Sequence, residues 1–574
     1  MASDIISLKD VTFSYKGSKR RALDGITLNV KQGECVAILG PTGAGKSTLA
    51  CVMNGTAPRF MDGSLAGDVT VDGLVPAKVG TAQMASRVGL VFGDPDTQLF
   101  GMTVEEDVAF GPANLGLGYE SIMERVGKSI GDMRLAGLER RAPHRLSGGQ
   151  KQATAIAGVY AMLPKIMVLD EPTSMLDPEG KARVFGIVRM LKEQLGVTVV
   201  LIEQEVDDIL TLADRVFVMR SGKFVLSGTP REVFGRVEEL RQAGVRVPQI
   251  VEFGTLIGAA ETPFTIEEAI SAAPASASVN EAATPAAAPR ASRAAQADPV
   301  VEAVDVEFTY PGGARALDGV NLAVGRGDFV AIVGQNGAGK TTLTRHFNGL
   351  LRPSSGDIRV LGRSAQGVPT IELCRHVGYV FQNPDEQLFC TSVQEELRFG
   401  PTNIGVDPHV TSQRVEEILG DIGLTKYREV WPKYLTKGER QRLALASVVA
   451  MDPDVLIVDE PTTGLDWVES LQILDYLERL RKEQKKTIII ITHDMNIVSL
   501  YAKRVVVMAR GRVVGDGTAR EIFSQPDLME LACLRRPPIA DLSQALWGEV
   551  LLTPAEAAAR LLAAKSQAAG VCSE

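Results

Sequence analysis

Residues 40–48 read GPTGAGKST, and residues 334–342 read GQNGAGKTT. Each fits G-x-x-x-x-G-K-[ST], the P-loop pattern, in which glycine-exposed amides at a helix start cradle phosphates. Each follows an apolar run of strand length, CVAIL at 35–39 and FVAIV at 329–333. The pattern assigns Gly40, Gly43 and Gly45, with Gly334, Gly337 and Gly339, to the phosphate cradle. Lys46 and Lys340 neutralise the β- and γ-phosphates, and Ser47 and Thr341 place a hydroxyl on Mg²⁺. Thr48 and Thr342 complete the nucleotide-binding set. One such match says that a nucleoside triphosphate binds; two at equivalent positions of a repeat exclude coincidence.

The repeat runs along most of the chain. Lys46 and Lys340 are 294 positions apart, as are Asn54 and Asn348, whereas Gly67 and Gly356 are 289 apart. Five extra residues therefore fall within 55–66, which reads as a loop. Pro248 to Ile250 recurs as Pro537 to Ile539, and Thr262-Pro263 as Thr553-Pro554. Each half thus carries an appendage of short helices, with Thr-Pro as a helix start. The expected organisation is a first ATPase domain at 4–235 with its appendage at 236–271, and a second at 299–524 with its appendage at 525–564. Residues 272–298, almost all Ala, Pro and Ser, read as a flexible linker, and 565–574 as a loose tail. Within each half, apolar runs alternate with Gly-rich turns and helical stretches. That is the pattern of an α/β domain with a largely parallel sheet.

The net charge of −9 argues against a general nucleic-acid binder. Six cysteines (Cys35, Cys51, Cys374, Cys390, Cys533 and Cys572) form no C-x-x-C pair, so neither a zinc site nor a disulfide framework is indicated. The N-terminus MASDIISLKD lacks a basic region followed by an apolar stretch, so no signal peptide is expected. No apolar run approaches the ~20 residues that cross a bilayer, and a soluble chain is expected.

Asp170 and Asp459 end the runs IMVLD (166–170) and VLIVD (455–459), where a carboxylate can hold the Mg²⁺ shell. Glu171 and Glu460 follow, suited to orient and deprotonate an attacking water. Downstream of the first P-loop stands LSGGQKQ, residues 146–152, which P-loop proteins in general lack. With these motifs both halves resemble the nucleotide-binding domain of the ABC ATPases. The resemblance implies two tandem α/β P-loop NTPase domains of the ABC type, each with a parallel-sheet core, a helical lobe and a small C-terminal appendage. It implies ATP hydrolysis, with ATP and Mg²⁺ as ligands. It also implies head-to-tail pairing, with ATP between the P-loop of one half and the signature of the other. The signature residues are then Ser147, Gly148, Gly149 and Gln150 in the first half, and Thr436 and Gly438 in the second. Tyr15 and Tyr310 match the aromatic that stacks on adenine. Gln382 matches the Q-loop glutamine, which joins the metal shell, and His493 the switch histidine near the γ-phosphate.

The halves differ at those positions. VFQNPDEQLF in the second half contains Gln382; VFGDPDTQLF in the first has Gly93 there. IITHD contains His493, whereas LIEQE has Gln204. The signature departs the other way round, Ser147-Gly148-Gly149-Gln150 against Thr436-Lys437-Gly438-Glu439. Paired in trans, all of these departures fall in one site. A lysine adds bulk where backbone must approach phosphate, and a glutamine cannot become cationic. Losing one positioned group near a developing charge costs about 10²–10³ in rate. The expectation is a second-half site that turns over, using Glu460, His493 and Gln382. The first-half site then mainly holds ATP although Glu171 remains.

Both halves carry PD-x-QLF (Pro95 to Phe100, Pro384 to Phe389) and FGP-x-N (Phe110 to Asn114, Phe399 to Asn403), with Glu106-Asp107 and Glu395-Glu396 between them. These patterns resemble the ATPase subunits of energy-coupling factor transporters, importers of vitamins, vitamin precursors and transition-metal ions. That resemblance implies a transmembrane coupling protein whose helices dock through Arg-containing motifs, with the acidic residues as partners. It implies a membrane-embedded substrate-binding protein and a peripheral place on the cytoplasmic face of a prokaryotic membrane. One chain then supplies both ATP sites. The alternatives are the fused ATPase of another ABC importer and a soluble dual-cassette ATPase acting on ribosomes or DNA. The doubled patterns disfavour the first, and the short uncharged linker and acidic charge the second.

Overall fold

The runs CVAIL, IMVLD and TVVLI become the strands Cys35–Leu39, Ile166–Asp170 and Thr198–Ile202, each buried along its whole length. Uninterrupted apolar runs of this kind are what a parallel sheet covered on both faces requires. In the first half the sheet has the order Val88–Phe92, Ile166–Asp170, Thr198–Ile202, Cys35–Leu39, Arg215–Arg220, Lys223–Gly228. Its strands are parallel except for the last pair, which is antiparallel. The second half repeats the order with Val377–Val380, Val455–Asp459, Thr487–Ile491, Phe329–Val333, Arg504–Ala509 and Arg512–Gly517.

The computed structural model describes residues 4–273 and 299–571. These fall into two units: Met1–Glu252 with Asp466–Val468, and Phe253–Leu465 with Glu469–Glu574. The boundary lies inside the helix Gln249–Leu256, so the segment expected as one appendage, 236–271, is divided between the units. The linker at 272–298, apart from its first two residues, lies outside the described residues. The tail expected to be loose from Lys565 instead continues the helix Pro554–Val571.

In each unit a smaller antiparallel sheet covers the core of the larger one. Leu8, Phe13 and Ile26 of that sheet pack with Val36, Ile38, Leu49 and Met53. Val301, Val306 and Val320 do the same with Val330, Ile332, Leu343 and Phe347. Each such side chain, fully buried, contributes about 1.5–3 kcal/mol. A helical lobe completes each cassette. In the first it comprises Val104–Asn114, Tyr119–Asp132 and Gly148–Tyr160, and in the second Val393–Asn403, Pro408–Asp421 and Lys437–Val449.

Two local expectations change. The insertion within 55–66 is only partly a loop: strand Gly63–Val71 begins inside it and pairs with Asp4–Tyr15 as far as Tyr15 opposite Gly63. Alternating pairing against a neighbour overrides the loop-like composition. Thr262-Pro263 does not start a helix; Thr265 caps Ile266–Ala272 by accepting from Glu268 N. Thr553-Pro554 does stand at the head of its helix. Among the described residues, no helix is long and apolar enough to cross a membrane.

The small sheets share one irregularity. Asp4–Tyr15 shifts register between Lys9 and Thr12, and Pro299–Thr309 between Val304 and Glu307. Opposite each bulge sits a glycine of left-handed φ, Gly67 at +90° and Gly356 at +82°. A Cβ there would lie 2.4 Å from Asp10 O and 2.2 Å from Asp305 O respectively. Gly67→Ala and Gly356→Ala should each destabilise their own cassette by about 1–3 kcal/mol. Urea unfolding of the full chain reads this as a lower midpoint.

Candidate nucleotide sites

The buried strands end on one edge of each large sheet, and there the chain turns into the segments that carry its polar groups. In the first unit residues 40–45 turn from Cys35–Leu39 into helix Lys46–Asn54, whose N-cap Gly45 is left-handed. Lys46 is 5% exposed. Its ammonium donates to Gly40 O at 2.8 Å and Pro41 O at 3.1 Å and stands 3.4 Å from Glu171 Oε1. Asp170, at the end of its strand, is pushed up to about 6 by burial, and the Ser47 hydroxyl pulls the other way. Its Oδ1 is buried without a hydrogen-bond partner. Gln204 Nε2 donates to Glu171 Oε1 at 2.9 Å. The Tyr15 and Thr48 hydroxyls are 2.8 Å apart.

The second unit repeats this frame with different chemistry. Residues 334–339 lead into helix Lys340–Phe347. Lys340 donates to Gly334 O at 2.7 Å and Gln335 O at 3.0 Å. Asp459 Oδ2 accepts from Thr341 Oγ1 at 2.9 Å and from the Tyr379 hydroxyl at 2.8 Å. Burial raises Asp459, and those two hydroxyls offset it. His493 Nδ1 lies 2.9 Å from Glu460 Oε1. A carboxylate only accepts, so Nδ1 carries the proton and Nε2 is left facing away. The Tyr310 and Thr342 hydroxyls are 3.0 Å apart. Tyr379 was not singled out in the sequence; only its place two residues before Phe381 in the strand leading to the Q-loop could have flagged it.

Both glutamates that follow the strand aspartates have left-handed backbones, Glu171 at φ 51° and Glu460 at φ 47°. Strain of about 1–3 kcal/mol at a non-glycine residue persists only where the surroundings fix it. Here Glu171 N donates to Ile202 O at 2.8 Å and Glu460 N to Ile491 O at 2.9 Å. The bonds hold the backbone of each glutamate against the end of the neighbouring strand.

The Q-loop difference is more than a missing side chain. Gln382 is exposed. Gly93 lies against the segment after Asp170, where a Cβ would stand 2.6 Å from Glu171 O, 3.1 Å from Ser174 Oγ and 3.2 Å from Asp170 O. Backbone fills the space that a side chain needs. The QLF glutamines brace these loops. Gln98 Oε1 accepts from Phe92 N at 2.8 Å, and Gln387 Oε1 from Phe381 N at 3.3 Å.

The signatures are closer in structure than in sequence. Ser147 and Gln150 form a capping box at the head of Gly148–Tyr160, and Thr436 and Glu439 form the same box at the head of Lys437–Val449. Glutamine and glutamate serve equally as the third residue of such a box. Glu439 Oε2 accordingly accepts from Thr436 N at 2.9 Å. Gly149 approaches Gly180 so closely that a Cβ would be 2.7 Å from its Cα. Lys437 is half-buried and folds toward Gly464 of its own unit.

The acidic pairs of the lobe also differ from expectation. Asp107 and Glu396 are 7% and 3% exposed. Asp107 Oδ1 accepts from Phe100 N and Gly101 N, both at 3.0 Å, and Glu396 Oε2 from Phe389 N at 2.9 Å and Cys390 N at 2.8 Å. These carboxylates cap a turn and do not face a partner; Glu106 and Glu395 remain exposed. The turn presents Phe100 against Phe110, edge to face at 4.4 Å, and Phe389 against Phe399 at 4.7 Å. Phe100 is 62% exposed and Phe389 61%.

Comparison with known proteins places the motifs in context. The family described as ABC transporter matches residues 23–174 and 317–463. The chain is 41% identical over 559 residues to a protein of Caldanaerobacter subterraneus subsp. tengcongensis named as an ABC transporter ATP-binding protein, covering 96% of this chain and 98% of that one. It is 40% identical over 554 residues to a protein of the same description from Methanosarcina acetivorans, covering 94% and 90%. Among solved structures it is similar to cbiO1 from Clostridium perfringens, described as part of the ABC transporter complex cbiONQ. The identity is 37% and the TM-score 0.38, over 43% of this chain and 99% of that one.

The packing at Gly93 predicts an irreversible exchange. Gly93→Gln should lower stability by about 1–3 kcal/mol through overpacking. Gln382→Gly, at an exposed position, should change stability by about 1 kcal/mol or less. Thermal unfolding of the two variants checks the difference.

Proposed function

The chain belongs to the ABC transporter family as an ATP-hydrolysing subunit with two cassettes, and on that footing we propose that it powers import of a micronutrient through an energy-coupling factor transporter. The observation that carries the reading is the exposed aromatic pair on each cassette. PD-x-QLF supplies one ring and FGP-x-N the other, and a buried carboxylate holds the turn between them. Two large apolar rings held out of the core by a dedicated turn have a use as a docking seat. The proposed occupant is a helix of the transmembrane coupling protein, with Glu106 and Glu395 as exposed acids for its arginines. The cargo is a vitamin, a vitamin precursor or a transition-metal ion, carried by a membrane-embedded substrate-binding protein. The chain sits peripherally on the cytoplasmic face, and one chain supplies both ATP sites.

The two sites divide the work in this reading. The P-loop of the second half, with Glu460, His493 and Gln382, uses the signature Ser147 to Gln150. Lys340 meets the phosphates in exchange for its bonds to Gly334 O and Gln335 O. Glu460 orients and deprotonates the attacking water. His493, its Nδ1 proton on Glu460, offers Nε2 to the γ-phosphate side and can take up a proton there. Gln204 holds Glu171 equally well but stays neutral. The first-half site, with Gly93, Gln204 and the signature at Thr436 to Glu439, holds ATP and hydrolyses it slowly or not at all. Tyr15 and Tyr310 stack on the adenines. Buried carboxylate and hydroxyl oxygens are what a hard cation selects, and the partnerless Oδ1 of Asp170 fits such a role. Ser47 and Asp170, and Thr341, Asp459 and Gln382, would hold Mg²⁺. Bound there, the ion neutralises charge on the β- and γ-phosphates.

Membrane recovery tests the transporter reading. Phe100→Ser combined with Phe389→Ser should leave thermal stability within about 1 kcal/mol, since both rings are exposed. The double variant should lose most of its copurification with membrane proteins. Undiminished recovery with membranes, or recovery of the native chain with ribosomes alone, would overturn the reading.

A further inference from the structure

One buried acid of the first cassette has no part in the chemistry above. Glu203 follows the strand Thr198–Ile202 and is 1% exposed. Its counterpart 289 positions on is Thr492, also 1% exposed. Glu203 Oε1 accepts from Thr173 N at 3.1 Å and from Thr173 Oγ1 at 2.6 Å, and its Oε2 accepts from Gln204 N at 3.1 Å. Gln204 in turn donates to Glu171 Oε1. Because Thr173 is two residues after Glu171, these bonds close a ring: Glu171, Pro172, Thr173, Glu203, Gln204 and back to Glu171. In the second cassette Thr492 Oγ1 accepts from Asp494 N at 3.0 Å, within its own segment. There His493 Nδ1 bonds to Glu460 Oε1, and a threonine stands where the first cassette has the bracing carboxylate.

The rest of the first switch segment is tied down as well. Glu205 pairs with Lys181 of helix Pro178–Glu193, and Arg246 stands 3.3 Å from Asp207 and 3.9 Å from Glu205. A segment that reports γ-phosphate has to move when the phosphate leaves. A ring through the buried carboxylate opposes that motion, because opening it strands Glu203 without donors in the interior. Burial and the neighbouring Glu171 and Glu205 push Glu203 up to about 7, against the Thr173 and Gln204 bonds that favour its charge. The bonds are thus what such a charge requires in that place.

We propose that Glu203 is a positioning residue that locks Gln204 and Glu171 together and so sets the slow release of nucleotide from the first-half site. The proposal rests on the asymmetric reading above. The test is release of a fluorescent ATP analogue, loaded with Mg²⁺ on the full chain and chased with unlabelled ATP. The native chain gives a fast and a slow phase, the slow one from the first-half site. Glu203→Thr, the second-half residue, accelerates the slow phase by about tenfold or more, the factor that 1.4 kcal/mol represents. Glu203→Gln keeps an acceptor for Thr173 but turns an N–H toward Gln204 N, and gives an intermediate rate. Thr173→Val, which removes only the hydroxyl, accelerates the same phase with Glu203 intact. A native slow phase unmoved by Glu203→Thr and Thr173→Val overturns the lock and leaves the asymmetry standing. A single phase in the native chain overturns the asymmetry, and the lock with it.

Discussion

Sheets buried on both faces can carry no chemistry along their length, so the polar groups of this protein are collected at the strand ends. Asp170 and Asp459 are the last residues of strands whose other members are wholly apolar. Each is followed by a glutamate of left-handed backbone, and each unit holds a P-loop lysine whose ammonium rests on backbone carbonyls. Desolvation raises both aspartates, and neighbouring hydroxyls offset it. Cation, phosphate and water chemistry have one place in which to meet, at the open ends of parallel strands.

The two cassettes show how one frame is retuned. Strand order, capping boxes, bulge glycines and aromatic pairs recur almost residue for residue. The exchanges concentrate in the two loops that border the carboxylate pair, and they reach deeper than substitution of one group. At Gly93 backbone occupies the volume of a side chain. At Glu203 a buried acid ties the turn after Glu171 to Gln204, where the second half has a threonine whose hydroxyl accepts from Asp494 N in its own segment. At Glu439, by contrast, a departure of the signature is a capping-box partner that serves as Gln150 does. These contrasts support the proposed division between a turning-over site and a holding site.

Much of this was legible in the sequence, for physical reasons. A P-loop is a local structure, with glycines, lysine and hydroxyl in fixed order, and it folds the same way wherever it occurs. Fully buried strands announce themselves as unbroken apolar runs, as CVAIL and TIIII do. What stayed hidden depends on non-local packing. The strand at Gly63 exists because it pairs with Tyr15. Asp107 and Glu396 read as surface acids because helix position alone does not reveal that a turn folds over them. Tyr379 and Thr173 matter only through partners 80 and 30 residues away, separations that leave no mark on a local pattern.

The proposed division of labour meets its most direct test in the steady-state ATPase activity of the full chain with either glutamate neutralised. Glu460→Gln removes the base from the site that turns over, and activity should fall by about 10²-fold or more. Glu171→Gln should leave at least about half of it, since that carboxylate serves a site that mainly holds ATP. Equal losses from the two substitutions would contradict the account.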